Sequence, residues 1–310
     1  MILSLYSSVS FKNPFGLAHT VRIAKKLGYQ AIDVRGYSLD SPLIGTRNIN
    51  AVGYDMLGPH TLDSTGTKEL KELLKAEGMP ISGISCYNPL TLPEGKMAEA
   101  SYDRFLQMLD FAEMMSIPAI RLIGYSEKPA EAISLPRETA FRLYCGRLKE
   151  LCKAAAPKGI RVLLENGENC IPSTAKEMLA IKEAVGEENL DIVFDVLNFA
   201  FEGLDPYQEL AVIKPYVKVL HVKNAIFSTD TKDKYAPKST RGFRWSLLSQ
   251  GNIDFSRIFS ELPSATFSGT IVCEYANPYK GMERDFWNTA PDAYEWAKDA
   301  KDYIQTFRWD

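Results

Sequence analysis

The chain has 310 residues, 45% of them hydrophobic and 24% charged, the make-up of a folded globular protein with ample apolar material for a large core. A formal net charge of −3 gives no basic footprint for nucleic acid or an anionic membrane, and no run reaches the roughly 20 apolar residues of a membrane span. The five cysteines (Cys86, Cys145, Cys152, Cys170 and Cys273) contain no CxxC pair and point to reduced thiols in a cytoplasmic protein.

In chain order, residues 1–6 (MILSLY) read as a strand rather than the start of a signal peptide, with the strand proper over Ile2–Tyr6. A helix with an apolar stripe follows over Leu17–Leu27, then a second strand over Ala31–Arg35. After a long connection come a helix over Lys68–Glu77 and a strand over Ile81–Cys86. The pattern repeats as helix Ser101–Met115, strand Ala119–Ile123, helix Arg137–Ala156 and strand Arg161–Glu165. It continues as helix Thr174–Val185, strand Asp191–Asp195, helix Pro206–Ile213 and strand Val217–His221. A second long connection leads to helix Phe255–Leu262, strand Thr270–Glu274 and a last helix over Asp292–Phe307. Glycines in KKLGY, KAEGM and APKGI are placed as helix stops, while Ser173 and Asp205 stand where N-caps belong, the latter before Pro206.

Eight short apolar strands alternating with helices predict a parallel sheet closed into a single (β/α)8 TIM barrel over residues 1–310. Closure is favoured over an open doubly wound sheet because the last four strands all end on polar residues, which a barrel would gather at one mouth. The long connections at about 36–67 and 224–252 follow strand C-termini and should overhang that mouth as lids or substrate walls.

Those strand ends are Glu165, Asp195, His221 and Glu274. Three carboxylates crowded together repel one another and shift upward in pKa unless a cation joins them. An oxygen and imidazole set without sulfur suits one divalent ion, Mn2+ first, with Mg2+, Co2+, Zn2+ and Fe2+ also compatible. No GxGxxG or GxxxxGK[ST] signature appears, so no nucleotide cofactor is expected.

The strand-end residues, with LGYQAIDVRG at strand two, HVKN at strand seven, QGNIDF and CEY, resemble the sugar phosphate isomerase/epimerase superfamily of xylose-isomerase-like TIM barrels across almost the whole chain. The resemblance implies that Glu165, Asp195, His221 and Glu274 hold the metal, with Glu165 and Glu274 also exchanging protons with substrate. Chelation of a carbonyl and a neighbouring hydroxyl would acidify the C–H between them and stabilise an enediolate. Reprotonation at the same carbon from the opposite face gives epimerisation; at the adjacent carbon it gives aldose–ketose isomerisation. The implied function is therefore a metal-dependent sugar isomerase or epimerase.

Lys223, two residues past His221, is expected to face the mouth and bind a substrate oxygen or anion. Asn198 stands where many ketose-epimerising relatives carry histidine, and it can hydrogen-bond a hydroxyl without titrating. Arg244, Tyr87 and His60 are further candidates for substrate binding. The departure at Asn198 and the long loop after strand two keep a second outcome open, a lyase acting on a keto-sugar or keto-inositol as a dehydratase or C-glycoside deglycosidase. A non-catalytic binding subunit is the remaining alternative. With only His19, His60 and His221, the chain lacks the histidines of the related DNA-repair endonucleases. The expected partner is a small carbohydrate or polyol. A homo-oligomer is also expected, with YANPYKGMERDFW as a candidate contact, or a hetero-subunit in a C-glycoside-cleaving enzyme.

Overall fold

The computed structural model describes residues 1–10, 16–36, 56–59, 61–86, 90–91, 94–123, 135–167, 170–228, 242–262, 267–275 and 292–307. Among the described residues eleven strands are formed: β1 (Ile2–Tyr6), β2 (Ala31–Gly36), β3 (Met56–Leu57), β4 (Ile81–Cys86), β5 (Ala119–Ile123), β6 (Arg161–Glu165), β7 (Leu190–Asp195), β8 (Val217–Val222), β9 (Ala225–Ser228), β10 (Gly242–Trp245) and β11 (Thr270–Cys273). Eight of them pair in parallel around a ring, β1, β2, β4, β5, β6, β7, β8 and β11, closed by β11 against β1. The two-residue β3 adds to the edge of β2, opposite Arg35 and Gly36. The predicted barrel is thus the observed one.

Around it lie α1 (Gly16–Leu27), α2 (Ser64–Glu77), α3 (Lys96–Met115), α4 (Arg137–Ala155), α5 (Ala175–Val185), α6 (Val196–Phe201), α7 (Pro206–Ile213), α8 (Phe255–Glu261) and α9 (Ala293–Thr306). Gly28, Gly78 and Gly159 end their helices with positive φ, as the sequence signals require. Asp205 caps α7 as expected. The cap of α5 is Thr174 rather than Ser173, because it is the Thr174 side chain that accepts from Glu177 N. Glu177 reaches back to the Ser173 backbone N–H, completing a reciprocal pair of bonds. Two helices begin earlier than their apolar stripes, α2 at Ser64 behind an Asp63 cap and α3 at Lys96.

The strands alternate strictly. Ile120 and Leu122, Val162 and Leu164, Ile192 and Phe194, and Ile271 and Cys273 face the helices in the main core. Their neighbours point into the barrel, where Tyr6, Ala119, Leu163, Val193, Val219 and Val272 form a separate apolar layer. One position further along these same inward rows lie Arg121, Glu165, Asp195, His221 and Glu274. The apolar layer therefore floors the site. All five cysteines are free and buried. No described helix is long and apolar enough to cross a membrane.

Candidate active site

β6 ends on Glu165 and β7 on Asp195; the β6–β7 register places Glu165 opposite Val193. Asp195 in turn lies opposite His221 on β8. Glu274 follows β11, its N–H still bonded to the carbonyl of Val222. The sequence placed Glu274 inside the strand; it sits one residue beyond. One ligand atom from each of these four residues lies within 4.8 Å of all the others. Bonds of about 2.0–2.2 Å to a central divalent ion would set such atoms some 3–4 Å apart, so the cluster needs little adjustment to hold one.

Glu165, Asp195 and His221 are buried, and the Glu274 side chain keeps 12% exposure toward the mouth. His221 turns Nδ1 into the cluster, 2.9 Å from Glu274 Oε2 and 3.4 Å from Glu165 Oε1. Its Nε2 is buried with no hydrogen-bond partner among the described residues. Lys223 does face the mouth: its ammonium lies 2.7 Å from Asp195 Oδ2 and 3.3 Å from Glu274 Oε2.

Burial pushes the Asp195 carboxyl up to about 6, against the opposing pull of Lys223. Burial also works to raise Glu274, but Lys223 and His221 outweigh it and hold that carboxyl below the usual carboxylate range. For Lys223 burial works downward, and the charges of Asp195, Glu274 and Glu165 overcome it and keep the ammonium well above its ordinary value. Three carboxylates crowded this closely repel one another, and a bound divalent cation would relieve that repulsion.

The backbone beneath the cluster is clamped. Asn166 accepts from Asp195 N at 2.9 Å and donates to Asp195 O at 3.0 Å, locking the ends of β6 and β7 together. Asn198 donates to Asn166 O at 2.9 Å, so its amide nitrogen supports this clamp. Asp195 also caps α6, its Oδ1 accepting from Leu197 N and Asn198 N. That short helix was not anticipated from the sequence. His60 and Tyr87 lie outside the described residues, as does the Arg244 side chain. Of the candidate oligomer contact, only Tyr275 is described.

Two participants escaped the sequence reading. Arg121 on β5 and Asp33 on β2 both point into the barrel and are buried. Arg121 Nη1 donates to Glu165 Oε2 at 2.5 Å, and Nη2 lies 4.0 Å from Asp33 Oδ1. The guanidinium also sits 5.3 Å from the Tyr6 ring centroid, a cation–π distance. Gly83 makes room for Asp33: a Cβ there would meet Asp33 Oδ2 at 2.6 Å. Burial raises Asp33 to about 6 despite Arg121. The available signal was a charge at an inward position of a short strand, the lone charge in AIRLI and one of two, with Arg35, in AIDVR.

The long connection after β8 is partly a β9–β10 hairpin, packed on α6 through Phe201, with ring centroids of Phe243 at 4.6 Å and Trp245 at 5.8 Å. Asn224 is its anchor. The amide donates to Leu248 O (2.8 Å) and Ile253 O (3.1 Å), and its oxygen accepts from Ala225 N and Ile253 N. Gly251 leaves the space, since a Cβ there would stand 2.0 Å from Asn224 Cγ. The QGNIDF motif is therefore architectural: Gly251 admits Asn224, Asn252 accepts from Phe227 N, and Asp254 caps α8.

Comparison with known proteins gives the same fold. A 3-dehydroshikimate dehydratase of Bacillus anthracis is 24% identical over 221 residues, covering 68% of this chain and 76% of that protein. Among solved structures, a D-psicose 3-epimerase of Clostridium cellulolyticum H10 with D-tagatose superposes with a TM-score of 0.71 at 14% identity, over 99% of both chains. The IOLI protein with a bound zinc atom gives 0.72 at 18% identity, again over 99% of both. A model of the xylose isomerase-like TIM barrel matches residues 21–306, and the chain belongs to that family.

Proposed function

We propose that this protein is a divalent-metal-dependent enzyme that moves a proton beside the carbonyl of a small sugar or polyol ketone, as an isomerase or epimerase. The observation that carries the reading is the meeting of Glu165, Asp195, His221 and Glu274 at the mouth of a closed barrel. A bound divalent ion, Mn2+ by our reading of the donor set, would supply the Lewis acidity that makes the carbon beside a carbonyl acidic. Glu274 is the most exposed of the four side chains, with Oε2 engaged by His221 and Lys223, so Oε1 is the oxygen we assign to take and return a proton. Lys223 is placed to hold a substrate oxygen or anionic group, and its ties to Asp195 and Glu274 keep it charged for that task. Asn198, His60, Tyr87 and Arg244 are proposed as substrate-binding residues.

A second reading is a lyase that expels water or another β-substituent from a keto compound. It is favoured by the relative named as a dehydratase. Incubating the Mn2+-loaded protein in D2O with D-psicose and with 3-dehydroshikimate separates the two. Deuterium at a carbinol carbon without loss of water supports epimerisation, and an unsaturated product supports the lyase. Either activity should be abolished by Glu274→Gln. No exchange with either compound, in wild type and variant alike, would leave a binding barrel as the better description.

A further inference from the structure

The three carboxylates of the cluster are held differently from behind. Asp195 gives Oδ1 to the N-terminus of α6 and turns Oδ2 toward the other ligands. Glu165 gives Oε2 to Arg121 and turns Oε1 toward His221. Glu274 alone has no such rear support: its Oε2 contacts His221 and Lys223, and Oε1 makes no hydrogen bond among the described residues. The Glu165 arrangement depends on a side chain that is itself fixed. Arg121 is 2% exposed, leans on Tyr6 and is backed by Asp33, which Gly83 admits. A planar guanidinium so placed fixes both the position and the plane of the carboxylate it binds.

We infer that Arg121, backed by Asp33, is a positioning residue that reserves Glu165 for one-oxygen ligation of the metal, leaving Glu274 as the carboxylate free to carry the substrate proton. The inference rests on the metal centre proposed above. It divides two glutamates that the resemblance treats as equivalent. Epimerisation needs a proton carrier on each face of the substrate, so a Glu165 with both oxygens engaged favours a single-carrier outcome, either same-face transfer to the adjacent carbon, as in isomerisation, or the elimination of the second reading. In the elimination Glu274 Oε1 takes the proton and the C–H electron pair becomes a carbon–carbon double bond. The β C–O bond then breaks, and the departing oxygen leaves as water with a proton returned to it. The step is redox-neutral and needs no further reactant.

The test uses Mn2+ alone as the probe and reads affinity by calorimetric titration, with melting curves of the metal-free proteins to establish folding. Arg121→Lys is the decisive variant because it keeps the charge and loses the planar fork. Positioning predicts weakening of Mn2+ binding by about tenfold or more, the scale usual for groups that orient metal ligands. A role through charge alone predicts no change for Arg121→Lys and tighter binding for Arg121→Met, since a competing cation is removed. Asp33→Asn, which loosens the arginine from behind without touching a ligand, should weaken binding in the same direction. It carries the comparison if Arg121→Lys does not fold. Wild-type affinity in Arg121→Lys or Asp33→Asn, or tighter binding in Arg121→Met, overturns the inference and leaves the metal centre standing. Failure of the wild-type protein to bind Mn2+ removes the metal centre itself, and this inference with it.

Discussion

Asp195 joins two tasks in one side chain, capping α6 with Oδ1 and meeting Lys223 in the cluster with Oδ2. Asp195→Ala should therefore lose bound metal, as should His221→Ala. Metal analysis of the purified proteins checks this, and full metal content in both variants would sink the assigned centre. Asp195 also sets a pH dependence. Its carboxyl is raised by burial to about 6, so below that pH the proton must be displaced before a cation can bind. The sign follows: Mn2+ affinity should be highest above pH 6 and fall as the pH drops through 6, with proton release on binding in the lower range. Calorimetry in buffers of different ionisation enthalpy at pH 5 and pH 7 measures both effects. Affinity that stays flat from pH 5 to 7 would count against the assignment.

At the scale of elements, the connection between β8 and α8 is tied to one amide. Asn224→Asp keeps the acceptor oxygen but removes the donor that satisfies the carbonyls of Leu248 and Ile253. It also brings a buried negative charge toward them. Unsatisfied buried groups cost about 1–3 kcal/mol each, so a loss of ~2 kcal/mol or more is expected in urea unfolding. Gly251→Ala should act in the same direction, because its Cβ would collide with Asn224. The role of Asn224 is not legible in the sequence, because two of its three partner residues, Leu248 and Ile253, lie more than twenty residues away and meet it only after folding. The helix stops were different. Gly28, Gly78 and Gly159 act within a turn of their own positions, so local text sufficed to place them. For α6 the local signal was weak, since a six-residue helix carries too little periodicity to stand out.

For the molecule as a whole, a metal that joins the ends of four consecutive barrel strands should stabilise the folded chain, which has those ligands together, over the unfolded chain, which does not. At a hundredfold excess over Kd the linkage is about 2.7 kcal/mol. The shift per kcal/mol shrinks as a chain lengthens and is about 1.5 °C here, which puts the expected rise in Tm at about 4 °C. Melting curves with Mn2+ and with a chelator check it. Equal midpoints under both conditions would mean that the cluster holds no ion in the native state.

Sequence alone was enough to specify the barrel and the four residues that meet at its mouth, because both are written in period-two strands whose last inward residue is polar. The alternation that sends Val162 and Leu164 outward must send Leu163 and Glu165 inward, and no distant contact is needed to read it. Tertiary structure alone decided what stands behind those ligands. Arg121 on β5 meets Glu165 across the adjacent β6, and only the curling of the sheet into a ring also brings Asp33 of β2 and Tyr6 of β1 against that arginine. A buried arginine in an apolar strand looks out of place in one dimension. In three it becomes the counter-charge of a carboxylate 44 residues away, because a buried charge is stable only where the fold supplies its partner.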